Sequence, residues 1–122
     1  MKKIALFLLF IVFVACDPIV EIDFKARNQT TQTVQIDYND WVNNHDTTIL
    51  LAPNKTITLF RDQAVGYVNT YENKYDTFPF PHFLLRKDTV LSTKNFTLKT
   101  EWTLDNQNRM GTYTLEIDDD DF

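Results

Sequence analysis

Regular alternation of apolar and polar residues is the feature that most constrains the fold of this chain. From Val20 to Ala26 every second residue is apolar, with Glu21, Asp23 and Lys25 between them. The same spacing recurs in other segments: 34–38, 57–59 and 113–117. Successive side chains of a strand point to opposite faces, so this pattern indicates strands with one buried face. No window of a dozen residues keeps the apolar spacing of a helix, which predicts an all-β protein.

Turn residues divide the chain into short strands. Polar turns are predicted at 28–30, 52–55 and 105–111, and a loop at 39–46. Strands are predicted at 20–26, 34–38, 47–51, 57–59, 65–71, 75–78, 83–86, 96–98 with its continuation to Leu104, and 113–117. The hairpin that leads into 113–117 has the clearest pattern. About seven strands at this spacing predict a single immunoglobulin-like or transthyretin-like antiparallel β-sandwich, with a small barrel as the alternative.

The N-terminus has the pattern of an export signal. Lys2 and Lys3 precede an uncharged apolar run from Ile4 to Ala15, which is shorter than the roughly 20 residues of a membrane-spanning helix. Cys16, the single cysteine, follows at once. Residues 13–16 resemble the lipobox of bacterial lipoproteins, with Phe13 in place of the usual Leu. The resemblance implies cleavage after Ala15 and acylation of Cys16.

The lipobox divides the chain into three parts. Residues 1–15 are predicted to be a cleaved signal peptide, 16–19 a lipid-anchored tether, and 20–122 the β-sandwich. Loss of Lys2 and Lys3 changes the formal charge from −5 to −7. Such an acidic domain lacks the clustered cations that nucleic-acid phosphates require, and anionic headgroups would repel it. The predicted partner is therefore a membrane, to which the N-terminal lipid attaches the protein.

Elimination argues against an enzyme. Ser92 is the only serine and has no glycine nearby to form a nucleophile elbow. His45 and His82 lie far apart without a metalloprotease motif, and Gly66 and Gly111 are too few for a phosphate-binding loop. The chain is predicted to be non-enzymatic, with no cofactor and no metal. A hydrolase that uses two carboxylates remains as an alternative.

Aromatic and amide residues are concentrated in 67–82. Tyr67, Tyr71 and Tyr75 are spaced by even numbers of residues, so in a strand their side chains would lie on one face. Flat rings beside amides are suited to stacking on and hydrogen bonding to a sugar. These tyrosines and Trp41 are the predicted ligand-binding residues. The alternative is that the rings line the core or the rim of the sandwich. The prolines in 78–81 cannot donate to a sheet, which predicts an edge or crossover segment there.

The C-terminal residues combine acidic and aromatic character. The run 118–121 lacks the ligand spacing of a calcium loop, so a solvated terminus is predicted, with Phe122 packed back on the sandwich. Residues 111–122, with Trp102 ahead of them, resemble the closing hairpin of small Bacteroidetes cell-envelope lipoproteins. This resemblance implies a lipid-anchored β-sandwich in the cell envelope, at the outer membrane, and implies no activity.

Taken together, these patterns predict a binding or scaffold module for a glycan or an envelope protein. The alternatives are an accessory subunit of a larger outer-membrane complex and the carboxylate-dependent hydrolase.

Overall fold

The computed structural model describes residues 19–65, 79–107 and 109–122. They form eight strands and two short 3-10 helices. The strands are β1 (Ile19–Asn28), β2 (Val34–Asn39), β3 (Asp46–Leu51), β4 (Thr56–Val65), β5 (His82–Lys87), β6 (Val90–Leu91), β7 (Thr103–Gln107) and β8 (Met110–Ile117), and the 3-10 helices are Lys99–Glu101 and Asp119–Asp121. Neither helix has the length and apolar character needed to cross a membrane, and the described part of the chain contains no other.

Two four-stranded sheets pack face to face. The first sheet has the order β4-β1-β8-β7 and the second the order β3-β2-β5-β6. All neighbouring strands are antiparallel except β1 and β8, which are parallel. The predicted all-β sandwich is confirmed. So is the last hairpin, β7–β8. The hairpin predicted around 72–74 lies outside the described residues, apart from Val65 at the end of β4.

The inner faces of the two sheets carry the alternating apolar residues. On β1, Val20, Ile22, Phe24 and Ala26 are completely buried. A β-bulge opposite Phe24 shifts the β1–β4 register and lets two consecutive residues of β4 reach the core. The buried hydrophobic set is Val20, Ile22, Phe24, Ala26, Val34, Ile36, Tyr38, Leu51, Leu59, Phe60, Phe80, Phe83, Leu85, Phe96, Trp102, Tyr113, Leu115 and Ile117.

Phe80 lies at the centre of this core. Its ring centroid is 5.5–6.3 Å from those of Phe24, Tyr38, Phe60, Phe83 and Trp102. Residues 79–81 lead into β5 of the second sheet, and the path from β4 to residue 79 lies outside the described residues. At Phe80 the core alternative for the aromatic segment is therefore the correct one.

The side chain of Asn28, the last residue of β1, links the two sheets by hydrogen bonds. Its side-chain Nδ2 donates to the carbonyl oxygens of Gln32 (2.8 Å) and Leu51 (2.9 Å), and its Oδ1 accepts the amide of Thr30 (2.9 Å). Asn28 is completely buried, so these bonds replace the water that its amide would otherwise require. The ends of β1 and β3 thus meet, and β2 runs back from this end.

The acidic C-terminus is only partly solvated. Asp118, Asp119 and Asp120 are exposed, but Asp121 is buried, pairs with the Lys94 ammonium and accepts the backbone amide of Asp118 at 2.8 Å. The predicted solvated terminus is wrong at Asp121, because a 3-10 turn with a capping box directs this carboxylate inward. Phe122 packs against the core, as predicted, with the Lys87 ammonium 4.7 Å from its ring centroid.

Candidate ligand-binding face

The outer surface of the second sheet carries polar side chains on three neighbouring strands. Alternation on β2 turns Asp37 and Asn39 outward while Ile36 and Tyr38 face the core. The strand register then fixes their neighbours. Thr48 and Leu84 flank Asp37, and Asp46 and His82 flank Asn39. We call this surface the polar face; it consists of Gln35, Asp37, Asn39, Asp46, Thr48 and His82.

Asp37 is held in place by donors on two strands. Gln35 Nε2 donates to both of its carboxylate oxygens, at 3.0 and 2.9 Å, and Thr48 Oγ1 donates to Oδ1 at 2.6 Å. Fixed orientation lowers the entropy that a ligand group would otherwise lose on binding it. Asp37 therefore presents a preorganised acceptor in the middle of the polar face.

Asn39 forms the second part of the polar face. Its Nδ2 donates to Asp46 Oδ1 at 3.0 Å. Its Oδ1 is shielded from solvent and has no hydrogen-bond partner within the described ranges. Buried polar atoms normally have a partner, so leaving this carbonyl oxygen without one costs free energy. Asn39 thus contributes an acceptor that the described part of the protein does not satisfy.

A cleft of about 390 Å³ opens at this position. It is lined by Asp37, Tyr38, Asp46, Thr47, Thr48, His82 and Leu84. The volume lies at the lower end of the range of small-ligand sites. Carboxylates, hydroxyls and an imidazole line it together with apolar carbon from Leu84. This composition fits a ligand with several hydroxyl groups, such as one or two sugar units.

Tyr38 borders the cleft, and its side chain is buried between the two sheets. Its hydroxyl donates to the carbonyl oxygen of Leu59 at 3.1 Å and so bridges the two sheets. Burial raises the pKa of Tyr38, the nearby Asp40 carboxylate raises it further, and a hydrogen bond with the Thr47 side chain acts in the opposite direction. Tyr38 therefore acts as a structural support and stays protonated in neutral solution.

Trp41, one of the predicted ligand-binding residues, lies on an ordered loop directly after β2. The buried Asp40 carboxylate accepts the backbone amides of Val42 (3.0 Å) and Asn43 (2.8 Å), and the Trp41 amide donates to the Pro79 carbonyl oxygen (3.1 Å). The Trp41 side chain remains 47% exposed. The loop thus presents an indole ring to solvent from a constrained backbone, beside the end of β2 that carries Asn39.

Four predicted site residues are not placed by the structure. Tyr67, Tyr71 and Tyr75, and the lipidation site Cys16, all lie outside the described residues. Sequence reasoning in turn missed the cluster of Asp37, Thr48 and His82. Its members lie on three strands, and only the register brings them side by side. The one signal in the sequence was that every second residue of β2 is polar, which places Asp37 and Asn39 on one face.

The polar face contains no evident metal centre. The structure places no group of three or more histidine, cysteine, aspartate or glutamate side chains where they could hold an ion, within the ranges that it describes. Asp37 and Asp46 line the same cleft, and both act as hydrogen-bond acceptors. That role suits carboxylates that orient a ligand.

Comparison of the chain with models of known protein families, with curated proteins and with solved structures finds no match. The fold and the polar face therefore define the molecule at the level of a class: a small all-β sandwich with a polar cleft on one sheet.

Proposed function

We propose that this protein is a lipid-anchored module of the bacterial cell envelope, without enzymatic activity, displayed at the outer membrane. Residues 1–15 are removed on export and Cys16 carries the acyl chains. The proposal is supported by the apolar run from Ile4 to Ala15 and by a single cysteine placed directly after it. A further support is that β1 begins at Ile19, so the folded domain starts immediately behind the anchor.

The ligand that the module binds is a glycan, held in the cleft of the polar face. The observation that carries this proposal is a pair of carboxylate acceptors that line one cleft: Asp37, oriented by Gln35 and Thr48, and Asp46. Sugar hydroxyls donate to such acceptors. Trp41, exposed on the adjoining loop, supplies an aromatic surface for the sugar's C–H groups.

Glycan binding is tested by screening the purified domain on an oligosaccharide array and titrating each positive sugar by tryptophan fluorescence. Asp37→Asn removes a charged acceptor while keeping its shape, and we expect roughly 10-fold weaker binding. Trp41→Ala should weaken binding by a similar factor, because a stacked ring is lost. Asp105→Asn is the matched control, since Asp105 is an exposed carboxylate on β7 of the other sheet.

Two results would reject the glycan proposal. One is the absence of binding to every sugar on the array. The other is a binding affinity that is no weaker in Asp37→Asn and Trp41→Ala than in Asp105→Asn, because the contact would then lie away from the polar face.

A second candidate function, glycoside hydrolysis, is favoured by one observation: Asp37 and Asp46 line the same cleft. They are diagonal neighbours on adjacent strands. Glycosidases use two carboxyl groups that flank the bond to be cleaved. Release of reducing sugar from a bound oligosaccharide, abolished by Asp46→Asn, would establish hydrolysis. Binding without such release would establish the module.

A further inference from the structure

Three exposed apolar side chains cluster at one end of the first sheet. Ile19 on β1 and Val65 on β4 are directly opposite each other, and Met110 on β8 is the partner of Glu21, two residues along β1. All three belong to the outer face, and their exposures are 61%, 66% and 48%. We call this cluster the apolar end patch. Apolar side chains exposed on three adjacent strands indicate a surface that contacts something other than water.

The apolar end patch lies at the end of the sheet from which the chain leads back to Cys16. Ile19 is the first residue of β1. The buried Asn28, which joins the two sheets, lies at the opposite end of the same strand. The loop that carries Trp41 and Val42, both exposed, follows β2 on its return from the Asn28 end. Trp41 and Val42 thus lie toward the anchored end, whereas the exposed Leu50 and Val90 lie toward the Asn28 end.

Distance along the chain restricts how far the apolar end patch can be from a membrane. Three Cα–Cα steps separate Cys16 from Ile19 and span at most about 11 Å. The headgroup layer on one side of a bilayer is roughly 5–7 Å thick. If the Cys16 sulfur carries acyl chains, as the proposed function states, Ile19 lies within or just above the headgroups.

The charges beside the apolar end patch balance, because two cations, Arg61 and the exposed Arg109, accompany two carboxylates, Glu21 and Asp23. Arg61 Nε lies 2.9 Å from Glu21 Oε1 and 2.6 Å from Asp23 Oδ1. These residues therefore give no excess of positive charge that could attract anionic lipid. The mature domain as a whole is also acidic. The partner that fits is a zwitterionic lipid surface, which accepts apolar side chains without requiring a basic patch.

We infer that the apolar end patch contacts the lipid surface and fixes the orientation of the sandwich, with β1 directed away from the bilayer. This inference rests on the proposed acylation of Cys16. The lipid holds the protein at the membrane, and Ile19, Val65 and Met110 set the direction in which the domain stands. The Asn28 end then points away from the bilayer, and the polar face opens to the side.

The test uses the full-length lipidated protein in phosphatidylcholine vesicles that contain lipids with brominated acyl chains. Acylation of Cys16 leaves an introduced cysteine as the only free thiol, so a fluorescent label can be attached at Met110→Cys. Val90→Cys is the matched control, because Val90 and Met110 are equally exposed, at 48%, and Val90 pairs with Lys87 at the far end of β5. We expect at least roughly 3-fold stronger quenching at position 110 than at position 90, since quenching requires close approach to the acyl chains.

Co-flotation with the vesicles separates failure of the anchor from failure of the orientation. A protein that does not float rejects the proposed lipid anchor. A protein that floats with equal quenching at both positions overturns the inference about the apolar end patch while the anchor stands. In the double variant Ile19→Ser and Val65→Ser, quenching at position 110 should fall to the level of position 90. Unchanged quenching in that folded variant would also overturn the inference.

Discussion

Replacement of Phe80 by alanine is the most severe core truncation that the structure predicts. Phe80 is 1% exposed, stacks on Trp102 with the ring planes 12° apart, and meets four further rings edge-on or tilted. Removing a fully buried phenylalanine costs about 3–5 kcal/mol, which combines lost transfer energy with the cavity left behind. The upper half of this range is expected here, because each aromatic pair adds about 0.5–1.5 kcal/mol beyond buried area.

Urea unfolding followed by tryptophan fluorescence measures this cost. With a denaturant slope of about 1.5 kcal/mol/M for a domain of this size, a loss of about 4 kcal/mol lowers the midpoint by roughly 2.7 M. Native domains are stable by about 5–15 kcal/mol, so a loss of this size leaves the variant folded but markedly less stable. Near-ultraviolet circular dichroism should also weaken, because Trp102 loses its stacked neighbour.

Phe122→Ala provides the control for Phe80. Phe122 packs against the core from the C-terminus and is only half-buried, so its truncation should cost about 1 kcal/mol. A cost below about 1 kcal/mol for Phe80→Ala, or costs that are equal for the two variants, would refute the placement of Phe80 at the centre of the core.

Three further predictions concern polar groups. Asn28→Ala should reduce the free energy of unfolding by about 3 kcal/mol in the same urea assay, because three buried hydrogen bonds worth about 1 kcal/mol each are lost. Tyr38 should ionise above the ordinary tyrosine pKa of 10.0 in an ultraviolet titration, since its pKa is raised, and Tyr38→Phe should remove that step. Asp121 raises the pKa of Lys94 through a hydrogen bond and charge attraction. The stabilisation from this pair is therefore complete below the ordinary lysine pKa of 10.5. It is lost as the pH rises through the higher pKa that Lys94 has in the folded protein. Lys94→Met should therefore weaken the alkaline fall in stability, measured by urea unfolding over a series of pH values that extends through this range.

The sandwich was predictable from sequence because the core-facing residues alternate over long strands. β1, β2 and β8 keep period-two spacing, and their buried hydrophobic residues are those that the pattern predicts. The central position of Phe80 could not be predicted in this way, for a physical reason. Phe80 lies between two prolines, which exclude a central strand, and its burial results from long-range packing between the sheets. Local spacing carries no information on such contacts.

The polar face was partly predictable for the same reason. Alternation places Asp37 and Asn39 on one side of β2, but Thr48 and His82 join them only through the register with β3 and β5. Register depends on turn geometry and on packing against the other sheet. The burial of Asp121 was equally hidden, because it requires Lys94, far away in sequence, to approach a turn that looks like a solvated acidic tail.

Intact-mass spectrometry of the protein extracted from membranes with detergent tests the lipid anchor most directly. We expect a single chain that begins at Cys16 and carries the added mass of acyl groups on that residue. A Cys16→Ser variant should instead be recovered unacylated and in the soluble fraction. A wild-type mass that corresponds to an unmodified polypeptide with a free thiol would rule out the lipid anchor on Cys16.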